Sequence, residues 1–169
     1  MENEAFERAA KEHKDRIYAY AVHMLRDAED GRDVAQEALV RLWTHWNNVD
    51  PQGIRPWLMR TVHNLAIDRI RKRKVRSEVS AETRIEIEPD TAPDPGRRAQ
   101  SGEVGEAIEE ALQSLGPTDR AVVVMREIQQ MPYDEIAKSL GMPLGTLKAR
   151  LHRARERLRT RLIRSGVTP

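Results

Sequence analysis

The sequence is 169 residues long and has no cysteine, so disulfides, thiol catalysis and cysteine metal sites are excluded. Charged residues make up 33% of the chain and aromatic residues only 4%, a balance that favours an all-α protein over an all-β one. No apolar stretch approaches the roughly 18 residues of a membrane span, and the mixed, charged N-terminus lacks the pattern of a signal peptide. We therefore expect a cytoplasmic protein with no membrane insertion.

Three amphipathic helices are predicted in the first half of the chain. Apolar residues at helical spacing mark a first helix over residues 6–25, and residues 27–31 are expected to interrupt the chain before a second helix over residues 32–46. Residues 47–53 are predicted to form a polar loop, because Asn, Asp, Pro and Gly favour turn geometries. A third helix is predicted over residues 55–75, and its far end is almost entirely basic.

After the third helix the composition shifts to proline, glycine and acidic residues, with hardly any large apolar side chain. Residues 77–110 contain ten acids against three bases, whereas residues 55–76 contain eight bases against one acid. A flexible acidic linker is therefore predicted over residues 77–101, between two small domains of residues 1–76 and 102–169. The formal net charge of +2 thus conceals basic segments on either side of an acidic tether.

Two further helices are predicted after the linker. Apolar residues at helical spacing mark one helix over residues 104–115, which Gly116 and Pro117 are expected to stop. The next helix is predicted to be capped by Thr118 or Asp119, because short polar side chains accept hydrogen bonds from free backbone amides at a helix start.

The end of the chain has the pattern of a helix-turn-helix. A short helix is predicted over residues 133–140, Gly141 suits the left-handed residue that ends it, and a long helix follows over residues 145–164. Leucines and an alanine recur along one face of the long helix, whereas the remaining positions carry eight cations against the single acid Glu156. One face is therefore expected to be buried, and the other to meet a polyanion.

The second helix of such a motif enters the major groove of DNA, with its first turns against base edges and its flanks against phosphates. Lys148, Arg150, His152 and Arg153 fall where base and backbone contacts are expected. The later arginines would serve phosphates or a protein partner. The alternative is a solvated, salt-bridged helix in a bundle, which the shortage of acids disfavours.

Three segments in order carry a resemblance to a known family. They are RDVAQEALVRLW at residues 32–43, RPWLMRTVHNLAIDRIRKRK at residues 55–74 and MREIQQMPYDEIAKSLGMPLGTLKARLHRARERL at residues 125–158. The chain resembles bacterial RNA polymerase sigma factors of the extracytoplasmic-function group. The resemblance implies two all-α domains joined by a flexible linker, with core RNA polymerase, promoter DNA and an anti-sigma factor as partners.

The resemblance also implies three sets of site residues, and the polar loop would receive a base flipped out of the minus-10 duplex. The minus-35 set comprises Thr146, Lys148, Arg150, His152, Arg153 and Arg157. The minus-10 set comprises Asn47, Asn48, Asp50, Arg60, Asn64, Arg71 and Arg73. The polymerase set, on the polar face of the second helix, comprises Asp33, Gln36, Glu37 and Arg41. Residue by residue, an ordinary wet helix face or an ordinary turn remains the alternative.

Two other features have a double interpretation. In the resembling family the linker threads through polymerase channels, so its carboxylates would mimic nucleic acid; otherwise they merely keep a tether soluble and extended. Trp43, Trp46 and Trp57 could stack on single-stranded DNA, but helical tryptophans are more often part of a core, and we expect a mainly structural role.

The sequence offers no catalytic constellation. The five histidines are scattered without metal-ligand spacing, and no phosphate-binding glycine loop, Ser-His-Asp set or paired-carboxylate pocket can be assembled. We therefore predict no enzymatic activity, no metal and no cofactor. Two alternatives to a sigma factor remain open: a stand-alone helix-turn-helix regulator that binds a palindromic site as a dimer, and a helical phosphate-metabolising enzyme.

Overall fold

The computed structural model describes the backbone of residues 1–83 and 95–167 and the side chains of residues 1–80 and 102–167. Within these residues there are α-helices and short helical turns but no strand, which confirms the all-α class. No helix in this part of the chain is long and apolar enough to cross a membrane. The α-helices are α1 (Glu2–Leu25), α2 (Ala28–Thr44), α3 (Ile54–Thr83), α4 (Pro95–Ser114), α5 (Pro117–Val123), α6 (Tyr133–Leu140) and α7 (Leu144–Arg164).

Helices α1, α2 and α3 form the N-terminal half, in which each helix packs against the other two. Their apolar faces meet in a core whose largest fully buried side chains include Ile17, Met24, Leu42, Leu58 and Met59. Burying such side chains is the main favourable term in folding, at about 1.5–3 kcal/mol each. The two polar turns Trp46–Asn48 and Pro51–Gly53 connect α2 to α3, as the composition of this segment predicts.

The predicted interruption at residues 27–31 is wrong, because α2 begins at Ala28. Asp27 is the N-cap, and its Oδ1 accepts a hydrogen bond of 2.9 Å from the Asp30 backbone N–H. Gly31 lies inside the helix and is buried, and a Cβ at this position would stand 2.7 Å from Val22 Cγ2 on α1. Its role is therefore the close approach of two helices, which a reading of glycine as a helix breaker misses.

Helix α3 continues beyond the start of the predicted linker, through to Thr83. On the far side, α4 begins at Pro95 and is broken at Gly102, whose φ of 64° and ψ of 179° are open essentially to glycine alone. Residues 84–94 of the predicted linker lie outside the described residues. The domain boundaries at residues 76 and 102 therefore stay predictions, with helical backbone on both sides of that segment.

The C-terminal half comprises α4 to α7. The predicted cap of α5 is wrong: Gly116 is the N-cap and Pro117 the first helical residue, which suits proline because that position needs no N–H donor. After Val123 the helix widens into a π-helical turn, Val124–Ile128. Then α6, Gly141 with a φ of 63°, and α7 form the predicted helix-turn-helix.

The two halves pack against each other in this structure. Helix α6 lies against α3, and α4, α5 and the π-helical turn lie against α1. The buried side chains of both halves form one continuous hydrophobic cluster, from Ile17 and Met24 of α1 to Met125 and Ile136 of the C-terminal half. The structure is thus a closed arrangement.

Candidate nucleic-acid interface

Helix α7 is anchored by one face and presents the other to solvent. Leu147, Leu151 and Ala154 are buried, as the helical spacing predicts, and pack with Ile136 of α6. Leu158, further along the same stripe, is only half-buried. Five members of the minus-35 set are exposed, all except Arg150: Thr146, Lys148, His152, Arg153 and Arg157. The exposed side of the helix therefore carries the cationic surface that a polyanion requires.

Arg150 differs from the rest of its set because it is half-buried and already paired. Its Nη1 donates to Asp119 Oδ1 over 2.8 Å, and Nη1 of Arg157 donates to the other carboxylate oxygen over 3.4 Å. Asp119, in the first turn of α5, thus holds two arginines that lie two helical turns apart on α7. The sequence analysis proposed Asp119 only as a cap and missed this pairing.

Lys148 lies beside the N-terminal end of α6. Its Nζ is 6.0 Å from the centroid of the Tyr133 ring, and the guanidinium carbon of Arg126 lies over the same ring at 4.2 Å. Arg155 forms an ion pair with Glu127 nearby. Cations placed over an aromatic face are held by its negative quadrupole. Tyr133 therefore gathers positive charge at the junction of α6 and α7, next to the exposed face of α7.

The minus-10 set divides into two groups on α3. Arg60, Asn64 and Arg71 are exposed and, at steps of four and seven residues, share one face of the helix. Arg73 has other partners: its Nη1 donates to the Leu25 carbonyl at the end of α1 over 2.7 Å, and its Nη2 pairs with Asp30. The structure thus brings three of the four α3 members of the set together and turns Arg73 toward α1 and α2.

The remaining members of the minus-10 set lie in the turns between α2 and α3. Asn47 and Asn48 are exposed in the first turn. Asp50 is also exposed, but its Oδ1 accepts a hydrogen bond of 2.9 Å from the Gln52 N–H and so caps the second turn. The two asparagine amides therefore offer donors and acceptors to a ligand, whereas Asp50 is partly used in the local structure.

The polymerase set lies along the exposed side of α2, where Arg41 pairs with Glu37 over 2.8 Å. Two large apolar side chains accompany it: Val40 is 63% exposed and Trp43 is 50% exposed. The Trp43 ring meets Phe6 edge-on, with centroids 4.9 Å apart, so it is structural on one side and open on the other. The predicted, mainly structural role of Trp43 misses this exposed half, which adds apolar contact area to a charged surface.

The chemistry of these surfaces is that of binding. Within the described residues, no group of three or more His, Asp or Glu side chains could hold a metal ion. One histidine is strongly perturbed: burial lowers the pKa of His63 to about 4, and its Nδ1 lies 2.7 Å from the hydroxyl of the fully buried Tyr20. This pair lies inside the N-terminal half, away from the exposed sets.

Family models match both halves of the chain. The model for sigma-70 region 2 matches residues 9–76, and the model for sigma-70 region 4 matches residues 105–158. The matched regions contain all three sets of site residues. Proteins of this family are sigma factors, which are not enzymes.

Curated relatives match almost the whole chain. The ECF RNA polymerase sigma factor SigE of Mycolicibacterium smegmatis is 33% identical over 92% of this chain, which spans 60% of that relative's length. The ECF RNA polymerase sigma factor SigW of Bacillus subtilis is 32% identical over 95% of this chain and 90% of its own length.

Two solved structures share the arrangement. The sigma factor RpoE of Bartonella quintana, in complex with the anti-sigma factor NepR, has a TM-score of 0.74 and 25% identity, covering 93% of this chain and 96% of its own. CnrH, in complex with the cytosolic domain of CnrY, has a TM-score of 0.73 over 98% of this chain and 91% of its own; its 22% identity supports the fold alone. The family models and the full-length relatives together show that this chain belongs to the extracytoplasmic-function sigma factors of the sigma-70 family.

Proposed function

We propose that this protein binds core RNA polymerase and directs it to specific promoters, with α7 reading the minus-35 element and the N-terminal half melting and reading the minus-10 element. The observation that carries the proposal is the separation of three exposed polar surfaces, on α7, on α3 with its preceding turns, and on α2. Each surface lies on the segment whose sequence motif matches the corresponding part of the family.

At the minus-35 element, the first turns of α7 would meet base edges in the major groove. Lys148, His152 and Arg153 are exposed there, so they are the candidates for selectivity. Arg157 lies one turn beyond Arg153 and would grip a phosphate. Arg150 contributes by holding its charge near the duplex while it stays paired with Asp119.

At the minus-10 element, the turn that carries Asn47 and Asn48 would receive an extruded base. Extrusion costs a few kcal/mol of stacking, and amide groups compensate by hydrogen bonding to the base edge. Arg60, Asn64 and Arg71 on α3 would follow the strand, because they form a polar row beside that turn. Arg73 would stabilise the junction of α1 and α3 and support this surface from behind.

For polymerase, the exposed side of α2 is the proposed docking surface. Asp33, Gln36, Glu37 and Arg41 supply polar contacts, and Val40 and Trp43 supply apolar ones. A regulator is proposed by analogy with the B. quintana relative, whose structure is a complex with an anti-sigma factor. The protein would act in the cytoplasm, where bacterial polymerase and promoter DNA are found.

In vitro transcription with purified core polymerase and a promoter library tests this function. We expect new start sites when the protein is added, with a shared minus-35 and minus-10 sequence upstream of them. Arg153→Glu should remove them, whereas Lys14→Glu, the same charge reversal on an exposed position of α1, should not. If no start sites appear while the protein shifts promoter duplex alone at nanomolar concentration, the stand-alone regulator is the better description.

A further inference from the structure

The C-terminal end of α1 is closed by side chains from elsewhere in the chain. The last four carbonyls of an α-helix have no partner within the helix and need one outside it. Here the Val22 carbonyl accepts from the Arg26 N–H, and the Leu25 carbonyl accepts from Arg73 of α3. The two carbonyls between them accept from the C-terminal half.

Gln113 and Arg120 are the residues that serve these two carbonyls. Nε2 of Gln113 donates to the His23 carbonyl over 2.9 Å, and Nη1 of Arg120 donates to the Met24 carbonyl over 2.6 Å. The C-terminal half thus provides half of the cap of the first helix of the N-terminal half. The Arg120 cation also faces the negative end of the α1 dipole.

Arg120 is unusual because it is a buried cation, only 7% exposed, that pairs with carbonyl oxygens. Besides Met24, it donates to the carbonyls of Leu112 and Leu115, both over 3.1 Å, at the end of α4. A buried charge is costly unless its donors are satisfied. Opening the two halves would expose Arg120 and leave the end of α1 to water, so this contact favours the closed arrangement.

Side-chain contacts continue along α1 and onto α3. Arg16 Nη1 donates to the Gln129 carbonyl over 3.1 Å, and Gln129 Nε2 returns a hydrogen bond of 2.8 Å to the Arg16 carbonyl. Beyond them, Arg55 Nε and Nη2 grip the Glu135 carboxylate of α6 over 2.7 and 2.5 Å. His23 meets Glu109 of α4 over 2.6 Å. Polar contacts therefore span the length of the junction between the halves.

The closed arrangement leaves the three sites largely exposed but fixes them on one small body. A compact chain of this length is roughly 40 Å across. Two promoter elements about two turns of B-DNA apart are separated by about 70 Å, at 34–36 Å per turn. A body of that size cannot place α7 and α3 on both elements at once, so the halves must separate before the promoter is engaged.

We propose that these contacts form an autoinhibitory latch, in which the C-terminal half caps α1 and holds the free protein closed until core polymerase separates the halves. The residues of the latch are Arg16, Gln113, Arg120 and Gln129, with the Arg55 and Glu135 pair at the α6 end. The inhibitory consequence rests on the proposed function, because only a protein that must reach two promoter elements is impaired by closure. Closure itself is measurable without polymerase or DNA.

Fluorescence transfer between the halves measures closure directly. The chain has no cysteine, so Lys11→Cys on α1 and Thr160→Cys on α7 give two specific dye sites on exposed positions. The latch variant is Arg16→Ala with Gln113→Ala, which removes hydrogen bonds across the junction from both partners. The matched control is Lys14→Ala with Ser114→Ala, at exposed positions of the same two helices.

We expect high transfer in the parent and control proteins and a population of low transfer in the latch variant. A hydrogen bond is typically worth about a 2- to 10-fold change in an equilibrium constant. Losing two should therefore raise the open fraction about 5- to 100-fold. The apparent affinity for core polymerase should rise by the same factor while the open state is minor, because only that state binds productively.

The latch is refuted if transfer in the latch variant equals that in the control. Its inhibitory role is refuted if the variant opens but binds core polymerase no more tightly than the control does. If neither the parent nor any variant binds core polymerase, the proposed function fails together with the inhibitory role, while the transfer efficiencies still decide whether the latch exists. Thermal unfolding by circular dichroism should show that both double variants remain folded.

Discussion

Asp119 Oδ1 accepts a hydrogen bond of 2.8 Å from Arg150 Nη1, which ties the start of α5 to the second turn of the proposed recognition helix. Asp119 is largely shielded from solvent and also meets Arg157 through its other oxygen. The arginines of α7 therefore do not form one uniform cationic face. Some are part of the structure of the motif, and others are free to meet DNA.

The first prediction separates these two kinds of arginine. Arg150→Ala should lower the free energy of unfolding by about 1 kcal/mol, because it leaves the shielded Asp119 carboxylate with a single, longer partner. Arg153→Ala should leave stability within about 0.5 kcal/mol, because the side chain is exposed. Urea unfolding monitored by circular dichroism measures both. Equal losses for the two variants would show that the Asp119 pairing does not hold α7.

The second prediction concerns selectivity along α7. Arg153→Ala should change which promoters in a library are used, because it lies in the first turns, where base edges are read. Arg161→Ala, two turns further on, should weaken all promoters about equally and reduce the salt dependence of DNA binding by about one phosphate contact. Promoter profiling and a salt titration of duplex binding distinguish the two effects. Identical promoter profiles for both variants would contradict this division of the helix.

The third prediction follows from the buried pair of Tyr20 and His63. Burial lowers the pKa of His63 to about 4, below the value near 6.5 of an exposed histidine. Above pH 6.5 the ring is neutral in both states, so its contribution to the pH dependence is flat. As the pH falls from 6.5 toward 4, only the unfolded chain takes up the proton, and the protein loses stability.

The size of this loss can be checked by urea unfolding at two pH values. Between pH 7.5 and pH 5 the His63 contribution should amount to roughly 2 kcal/mol. His63→Gln should remove that part of the pH dependence while it keeps a polar partner for the Tyr20 hydroxyl. His152→Gln, on the exposed side of α7, should retain it. A parent protein and a His63→Gln variant with the same pH dependence would rule out the buried neutral histidine.

The fourth prediction tests the contact between α1 and α2 at Gly31. A Cβ there would stand 2.7 Å from Val22 Cγ2 and 3.2 Å from the Val22 backbone nitrogen. Gly31→Ala should therefore destabilise the protein by about 1–3 kcal/mol through overpacking. Adding Val22→Ala should recover only part of the loss, because the contact with the backbone remains. Gly53→Ala, whose Cβ meets nothing nearer than 3.7 Å, is the matched control and should cost little.

Much of the fold follows from local sequence. The helix-turn-helix was predictable because Gly141 and the repeat of Leu147, Leu151 and Ala154 are local signals, and the structure places α6, the turn and α7 accordingly. The exposed positions of the sets on α2 and α3 also follow from helical periodicity. These features depend on residues that lie within a few turns of each other.

Other features depend on contacts between distant parts of the chain, and for that reason local patterns did not indicate them. Gly31 is understandable only beside Val22 of another helix, and Asp119 only beside Arg150, 31 residues further on. Arg73 belongs to a basic run that suggests DNA, yet it meets the end of α1. A charge pattern gives the number of cations in a segment but not which of them the fold already uses.

The last prediction concerns the proposed polymerase surface on α2, where Val40 lies 63% exposed within the polymerase set. If this surface is buried against core polymerase, Val40→Ser loses an apolar contact worth about 1 kcal/mol, and the affinity for core polymerase falls about fivefold. Val75→Ser on α3 is the matched control, because Val75 is 58% exposed and lies away from α2. Titration of core polymerase without DNA measures both variants. Since both side chains are largely solvated in the free protein, neither change should alter stability by more than about 0.5 kcal/mol, so a selective loss for Val40→Ser reports the interface itself. Equal affinities for the two variants would place the docking surface elsewhere.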